Sequence, residues 1–143
     1  MTTPVIVLLA FALWTLVVLM AGIGIRRWTA ILSGSAQLTD FPADQAHGSP
    51  AYRRAVRAHL NCVENLPVYA AIVLAAVAAH VDTPRLDVLA DVFFAGRVGQ
   101  TLVHTLLRET NRTVLVRFLF FLAQVVCMFW MAGEVAVQAM PGT

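Results

Sequence analysis

Hydrophobic residues along this chain fall into four long runs that are separated by shorter polar stretches. The runs cover approximately residues 4–25, 58–80, 86–107 and 114–139. A helix needs about 20 largely apolar residues to cross the hydrocarbon core of a bilayer. Since lipid offers no water to satisfy backbone polar groups, such runs favour helices. The pattern therefore predicts an all-α integral membrane protein: a bundle of four transmembrane helices in a single domain, residues 1–143.

The polar connections between the runs differ in charge, and this difference predicts the orientation in the membrane. Four arginines lie in or border the long first connection, residues 26–56, and two border the short third one, near residues 108–112. The short second connection, near residues 80–84, has no such excess. Because cytoplasmic loops are enriched in Lys and Arg, we expect the first and third connections in the cytoplasm and both termini outside.

Composition supports a membrane protein and excludes several classes of function. Of 143 residues, 59% are hydrophobic and only 13% are charged, whereas soluble domains are about a quarter charged. No dense basic patch is present, so we expect no nucleic-acid partner. Cys62 and Cys127 lie in apolar surroundings and fit no zinc spacing, so we interpret them as core thiols and expect no metal site.

The second run begins with polar residues that a membrane helix would not ordinarily carry. Its uninterrupted apolar part, residues 66–79, has 14 residues and is too short to span a bilayer. The preceding polar residues Arg57, Asn61 and Glu64 are therefore drawn into the span, and their i, i+4, i+7 spacing places them on one helical face. An acid about two turns inside a membrane helix costs several kcal/mol unless it is paired. Snorkelling of interfacial side chains is the alternative interpretation, especially for Arg57.

The third run carries a matching polar stripe that consists of Arg97, Gln100, His104 and Arg108. Arg97 lies near the middle of the predicted span. Counting 1.5 Å per residue from the cytoplasmic ends, Glu64 and Arg97 lie at similar depths. We therefore predict a contact between Glu64 and Arg97.

Together the two stripes predict a polar pocket that opens toward the cytoplasm. Arg57, Arg97 and Arg112 are suited to bidentate binding of carboxylates, while Asn61 and Glu64 are suited to an ammonium group or amides. The expected ligand is a small anion with peptide character, beside an apolar wall that faces lipid. The alternative is a polar interface that only holds helices together.

Several short motifs resemble one known family. The stretch Arg57-Ala58-His59-Leu60-Asn61, followed by Glu64-Asn65, resembles the second-helix signature of the membrane-associated proteins in eicosanoid and glutathione metabolism, the MAPEG family. Gly96-Arg97-Val98 resembles its third-helix motif, the pair Arg26-Arg27 matches basic residues that end its first helix, and Arg112-Thr113 resembles the start of its fourth. The family includes the microsomal glutathione transferases, and the resemblance extends over most of the chain, from about residue 4 to residue 138.

The resemblance implies a homotrimer that binds glutathione between neighbouring protomers near the cytoplasmic side, in our expectation at a bacterial inner membrane. Arg57, Asn61 and Glu64 would hold the tripeptide, with Arg97 and Gln100 beside them. Arg26 or Arg27 would reach in from the first helix. Arg112 would lie by the sulfur and stabilise a thiolate, which is the reactive form of a thiol.

Some positions differ from the family pattern and leave the activity open. Gln100 and His104 stand where the family often has tyrosines, and His104 retains the ability to donate a hydrogen bond to a sulfur or oxyanion. Either Arg112 or Arg117 could be the arginine that activates the thiol.

The first hypothesis for the function is a glutathione-dependent transferase or peroxidase for lipophilic electrophiles. The alternative is a non-catalytic lipid-binding or accessory membrane protein of the same fold. A small drug exporter is disfavoured because residues 4–25 contain no acid.

Overall fold

The fold consists of four long helices in a computed structural model that describes residues 1–42 and 47–140. Helix α1 spans Thr3–Leu32, α2 spans Pro50–Ala78, α3 spans Pro84–Leu106 and α4 spans Asn111–Gln138. A short 3₁₀ helix, Leu38–Asp40, lies in the connection between α1 and α2. The described residues contain no strand, so the predicted all-helical class is confirmed.

Side-chain caps fix where α2, α3 and α4 begin. Ser49 accepts a hydrogen bond from the backbone of Tyr52, and Thr83 accepts one from the backbone of Leu86. In each case a proline follows the capping residue, a position at which its missing N–H costs nothing. Thr110 forms a reciprocal capping box before α4. Helix α2 therefore begins well before residue 58, where its transmembrane span was predicted to start.

The second connection is tight because α2 ends in a left-handed residue. His80 has a φ of 55°, and the backbone N–H groups of His80 and Val81 donate to the carbonyls of Val77 and Ala76. This pair of bonds is the Schellman arrangement that ends many helices. It lets α3 begin at Pro84 and run antiparallel to α2.

Three of the four helices, α1, α2 and α4, are long and apolar enough to cross a membrane. Helix α3 does not meet that description, because it carries Arg85, Asp87, Asp91 and Arg97. A fourth membrane crossing therefore stays a prediction. Its physical basis is that α3 packs extensively on α4 and also contacts α1 and α2, so that its polar face turns toward other helices.

An aromatic cluster holds α1, α2 and α3 together. Phe11 lies edge-on to Phe93 with ring centroids 5.4 Å apart, and Tyr69 stacks on Phe93 at 4.3 Å. The Tyr69 hydroxyl donates to the Pro4 carbonyl at 3.3 Å, which satisfies its one polar group. Cys62 and Cys127 are buried and unpaired, in agreement with the prediction of core thiols.

Candidate functional site

Five side chains from α2, α3, α4 and the loop before α4 form one hydrogen-bonded network, which we call the polar network. Arg57 Nη1 donates to Glu109 Oε1 at 3.0 Å, and Arg117 Nη2 donates to the same oxygen at 3.2 Å. Arg117 Nη1 lies 2.9 Å from His104 Nδ1, and His104 Nε2 lies 3.2 Å from the Asn61 amide. Because Arg57 and Asn61 are neighbours on one face of α2, the network closes on itself.

Local structure explains why these residues meet. Helix α3 ends at Leu106, where the backbone of Leu107 becomes extended, and the Thr110 capping box starts α4 a few residues later. Glu109 therefore lies in a very short loop between the last turn of α3, which carries His104, and the second turn of α4, which carries Arg117. Polar side chains from three helices and the loop therefore converge at the end of the bundle that carries most of the arginines.

The contacts of His104 determine its tautomer. Arg117 can only donate hydrogen bonds, so the His104 Nδ1 atom must accept and the proton of the neutral ring must lie on Nε2. The Asn61 position 3.2 Å from Nε2 must then hold the amide oxygen, because oxygen and nitrogen of an amide are assigned from such networks. In the closed network, neither ring nitrogen of His104 is available as a base.

Glu109 bridges two arginines, and its ionisation reflects this. The hydrogen bond from Arg117, followed by the charge of Arg57, holds the pKa of the Glu109 carboxyl below its usual range. About half of its side-chain surface stays exposed, so solvent screens both ion pairs. The carboxylate is thus ionised throughout the physiological range and fixes the two guanidinium groups relative to each other.

We expect the network to respond to acid in a defined direction. A carboxyl whose pKa is lowered by folding stabilises the fold above its unfolded pKa of about 4.3 and loses that effect as the pH falls through the lowered value. The thermal stability of wild-type protein should therefore exceed that of Glu109→Gln at about pH 6, and the difference should shrink as the pH falls below about 4.3.

Thermal unfolding in detergent across this pH range measures the difference. Glu64→Gln is the matched control, because it removes an acid that forms no ion pair within residues 1–42 and 47–140. A difference between wild type and Glu109→Gln that stays constant down to the lowest pH would contradict the assigned role of Glu109.

A second group of polar residues, which we call the inner cluster, lies deeper in the bundle and consists of Arg97, Gln100 and Gln124. Gln100 Oε1 accepts from Arg97 Nη1 at 3.1 Å and from Gln124 Nε2 at 3.2 Å. Gln100 Nε2 donates to the backbone carbonyl of Arg117 at 3.2 Å. The inner cluster therefore supports the backbone that carries the polar network.

Arg97 is the most unusual member of the inner cluster. Its side chain is 1% exposed and lies over the Phe11 ring at 5.5 Å. Within the described residues, its Nε and Nη2 atoms have no hydrogen-bond partner. A buried cation without an acid partner is destabilising, and the face of Phe11 offsets only part of that cost.

The predicted contact between Glu64 and Arg97 is wrong within this chain. Glu64 is exposed, whereas Arg97 is buried. Helix α2 turns Ala58, Cys62 and Tyr69 toward the core, and at about 100° per residue Glu64 points away from that face. The similar depths of the two residues were not enough, because depth along a helix does not fix the direction in which a side chain points.

Other predicted site residues lie apart from the polar network. Arg27 Nε donates to the Tyr52 hydroxyl and its guanidinium lies over Phe41 at 5.2 Å. Arg26, the preceding residue of α1, is exposed, and Arg112 is exposed in the first turn of α4. Of the predicted site residues, the polar network therefore contains Arg57, Asn61, His104 and Arg117. Arg97 and Gln100 lie directly behind it in the inner cluster. The residues outside both groups are Arg26, Arg27, Arg112 and Glu64.

Two residues of these groups were not predicted from the sequence. Glu109 stands between Arg108 and Arg112 in the predicted third connection, and an acid between arginines is itself a signal of local ion pairing. Gln124 is an amide in the middle of the apolar fourth run, and it is fully buried. Polar residues inside a membrane segment usually face the bundle interior, so this position was detectable as well.

A model described as the MAPEG family matches residues 4–137, which is nearly the whole chain. No curated protein matches the chain.

Proposed function

The chain belongs to the MAPEG family, and from this premise we propose that it is a glutathione-dependent membrane transferase or peroxidase. Family membership makes it a membrane protein related to glutathione and eicosanoid metabolism; the specific activity is our proposal. The observation that carries it is the polar network around the buried Arg117. His104 connects Arg117 to Asn61, and Glu109 connects Arg117 to Arg57. Cationic donors and an amide are thereby concentrated at one end of an otherwise apolar bundle.

The outward face of α2 supports binding of a zwitterionic peptide. Arg57 and Glu64 are both exposed, yet they lie in a segment that borders or enters lipid. Charges in that position are costly unless they are paired. Glutathione carries two carboxylates and an ammonium group, which complement Arg57 and Glu64, while Asn61 can bind its amides. The residues present therefore fit this ligand.

We also propose that the site is completed by further copies of the chain in a homotrimer. Because Arg57 and Glu64 are both exposed on the surface of their own bundle, a neighbouring protomer is needed to shield them and the bound peptide from lipid. We place the site on the cytoplasmic side of a bacterial inner membrane, since the arginine-rich connections share this end. Both termini would then lie outside.

Arg117 is the better candidate for the arginine that activates the thiol. Glutathione supplies the nucleophilic sulfur, and a nearby guanidinium favours its ionised form. Arg117 is held in place by His104 and Glu109, whereas Arg112 is exposed and lies outside the network. His104 acts by orienting Arg117, because its nitrogens are already engaged. Gln100 supports the Arg117 backbone from behind.

A non-catalytic lipid-binding or accessory role is the second candidate, and one observation favours it. The polar network satisfies its own hydrogen bonds within a single chain, so it is able to hold helices together without any ligand. The tyrosines that the family often carries are replaced by Gln100 and His104. This candidate predicts a folded protein that does not bind glutathione.

Equilibrium binding of glutathione to the purified protein in detergent separates the two candidates. We expect saturable binding, weakened by about tenfold in Glu64→Gln, because a charge-assisted contact with the ammonium group would be lost. Asp91→Asn is the matched control. It removes an exposed acid from α3 instead of α2, and the variant should bind glutathione like wild type. Folded wild-type protein that fails to bind glutathione would contradict the proposal and favour the accessory role.

A further inference from the structure

The carboxylate of Glu109 binds the same two arginines that the proposed function assigns to the ligand. Its Oε1 atom accepts from Arg57 Nη1 at 3.0 Å and from Arg117 Nη2 at 3.2 Å. Arg57 is the proposed partner of a glutathione carboxylate, and Arg117 is the proposed partner of the sulfur. One acid of the protein therefore uses donors from both guanidinium groups that an anionic ligand would need.

The ion pair between Arg57 and Glu109 is open to solvent, which makes it exchangeable. The two side chains are 58% and 48% exposed, respectively. Solvent screens such a pair, so it contributes little to stability, and another carboxylate can compete with Glu109. The hydrogen bond joins one Nη atom to one oxygen, whereas a free carboxylate can bind both arms of a guanidinium in parallel. The geometry therefore favours a ligand carboxylate over Glu109.

The Glu109 side chain can leave the arginines without unfolding a helix. Glu109 lies in the loop between α3 and α4, and the capping bonds at the start of α4 join Thr110 and Thr113. Within residues 1–42 and 47–140, the hydrogen bonds of the Glu109 side chain are those from Arg57 and Arg117. Its release therefore breaks these two contacts and leaves the cap of α4 intact.

A neighbouring cavity of about 300 Å³, which we call the basic cavity, gives the displaced carboxylate a place to move. It is lined by Pro50, Arg53, Arg54, Arg57 and Glu109. Arg53 and Arg54 form no ion pair in the part of the chain that the structure describes. The Nε atom of Arg54 is buried there without a hydrogen-bond partner. A carboxylate that leaves Arg57 thus remains close to two further guanidinium groups.

We propose that Glu109 is a built-in competitor of the ligand: a glutathione carboxylate displaces it from Arg57, whereas a ligand without a carboxylate leaves the ion pair closed. This inference rests on the proposed function, because it places a carboxylate of glutathione on Arg57. The displaced side chain turns into the basic cavity, while Arg117 keeps its contact with His104. Arg117 then has no carboxylate partner, so its charge acts on the sulfur when the ligand is bound. Glu109 is thereby a residue that determines ligand specificity.

Equilibrium binding of glutathione and of glutathione diethyl ester to the purified protein in detergent tests the proposal. The ester keeps the thiol, the amides and the ammonium group but has no carboxylate. Glu109→Gln should bind glutathione about three to five times more tightly than wild type, because an exposed ion pair no longer competes. Its affinity for the ester should equal that of wild type. Asp91→Asn, which removes an exposed acid from α3, is the control and should change neither affinity.

A double-mutant cycle with Arg57 shows where the competition takes place. Arg57→Gln alone should weaken glutathione binding by about tenfold, because a charge-assisted contact is lost. Adding Glu109→Gln to Arg57→Gln should then bring no gain in affinity. Glu109→Asp keeps the charge on a shorter side chain that reaches the guanidinium less well, so its affinity for glutathione should be intermediate. This variant keeps the test decisive if Glu109→Gln does not fold.

The outcomes separate this inference from the proposed function. Equal or weaker binding of glutathione by Glu109→Gln, or an equal gain for glutathione and its ester, would overturn the role of Glu109 and leave the proposed function standing. A gain that persists in the Arg57→Gln background would also overturn it, because the gain would then come from general charge repulsion. Folded wild-type and Glu109→Gln proteins that both fail to bind glutathione would contradict the proposed function, and this inference with it.

Discussion

Replacing Arg117 with leucine should raise the pKa of protein-bound glutathione by about one to two units, whereas Arg112→Leu should leave it near the wild-type value. A free thiol has a pKa of about 8.5, and an adjacent cation lowers it. Arg117 is fixed by His104 at 2.9 Å and by Glu109 at 3.2 Å, so its charge is ordered before the ligand arrives. Arg112 is exposed and would have to be ordered on binding.

The ultraviolet absorbance of the thiolate, followed as a function of pH at saturating glutathione, measures this difference. Arg117→Lys keeps the charge but cannot reproduce two separate guanidinium contacts, so we expect an intermediate pKa. If a reaction with an electrophile is found, a change of this size should reduce turnover by roughly 10²-fold, as for other single donors at developing charges. A raised pKa in Arg112→Leu, with Arg117→Leu unchanged, would reverse the assignment.

Phe11→Ala should lower the free energy of unfolding by about 2–4 kcal/mol. Truncation of a buried phenylalanine costs about 3–5 kcal/mol in soluble proteins. In a membrane the unfolded chain leaves this side chain in lipid, so that less of the cost comes from transfer and most comes from lost packing. Phe11 is fully buried, packs edge-on against Phe93 and Tyr69, and faces the guanidinium of Arg97.

Reversible unfolding by a denaturing detergent in mixed micelles measures the effect. Leu9→Ala is the matched control on the same helix, because Leu9 is 55% exposed and should face lipid; a surface change of this kind costs about 0.5 kcal/mol or less. Equal destabilisation by the two variants would show that the aromatic cluster does not hold α1 in the bundle.

The helices could be predicted from sequence because run length alone identifies them, but their limits could not. The start of α2 lies in a polar segment, and hydropathy excluded it. The Ser49-Pro50 pair, a cap followed by proline, was the available signal for that start. The π-helical segment of α1 was not predictable from hydropathy, because an apolar run has the same appearance whether its backbone bonds span four residues or five.

The candidate site was predictable where spacing alone determines geometry. Arg57 and Asn61 share a face of α2 and both reach the polar network, as the i, i+4 spacing indicates. The pairing of Glu64 with Arg97 required the rotation of each helix about its axis, which depends on the packing of all four helices. Glu109 was missed because its role depends on the loop that turns it back toward α2, and such loops are set by tertiary structure.

The most direct test of the central claim is a titration of purified wild-type protein with glutathione near neutral pH, followed by the ultraviolet absorbance of the thiolate. The account predicts a saturable thiolate signal, because Arg117 and the polar network favour the ionised sulfur where free glutathione is mostly protonated. Folded protein that gives no signal above that of free glutathione would contradict the account.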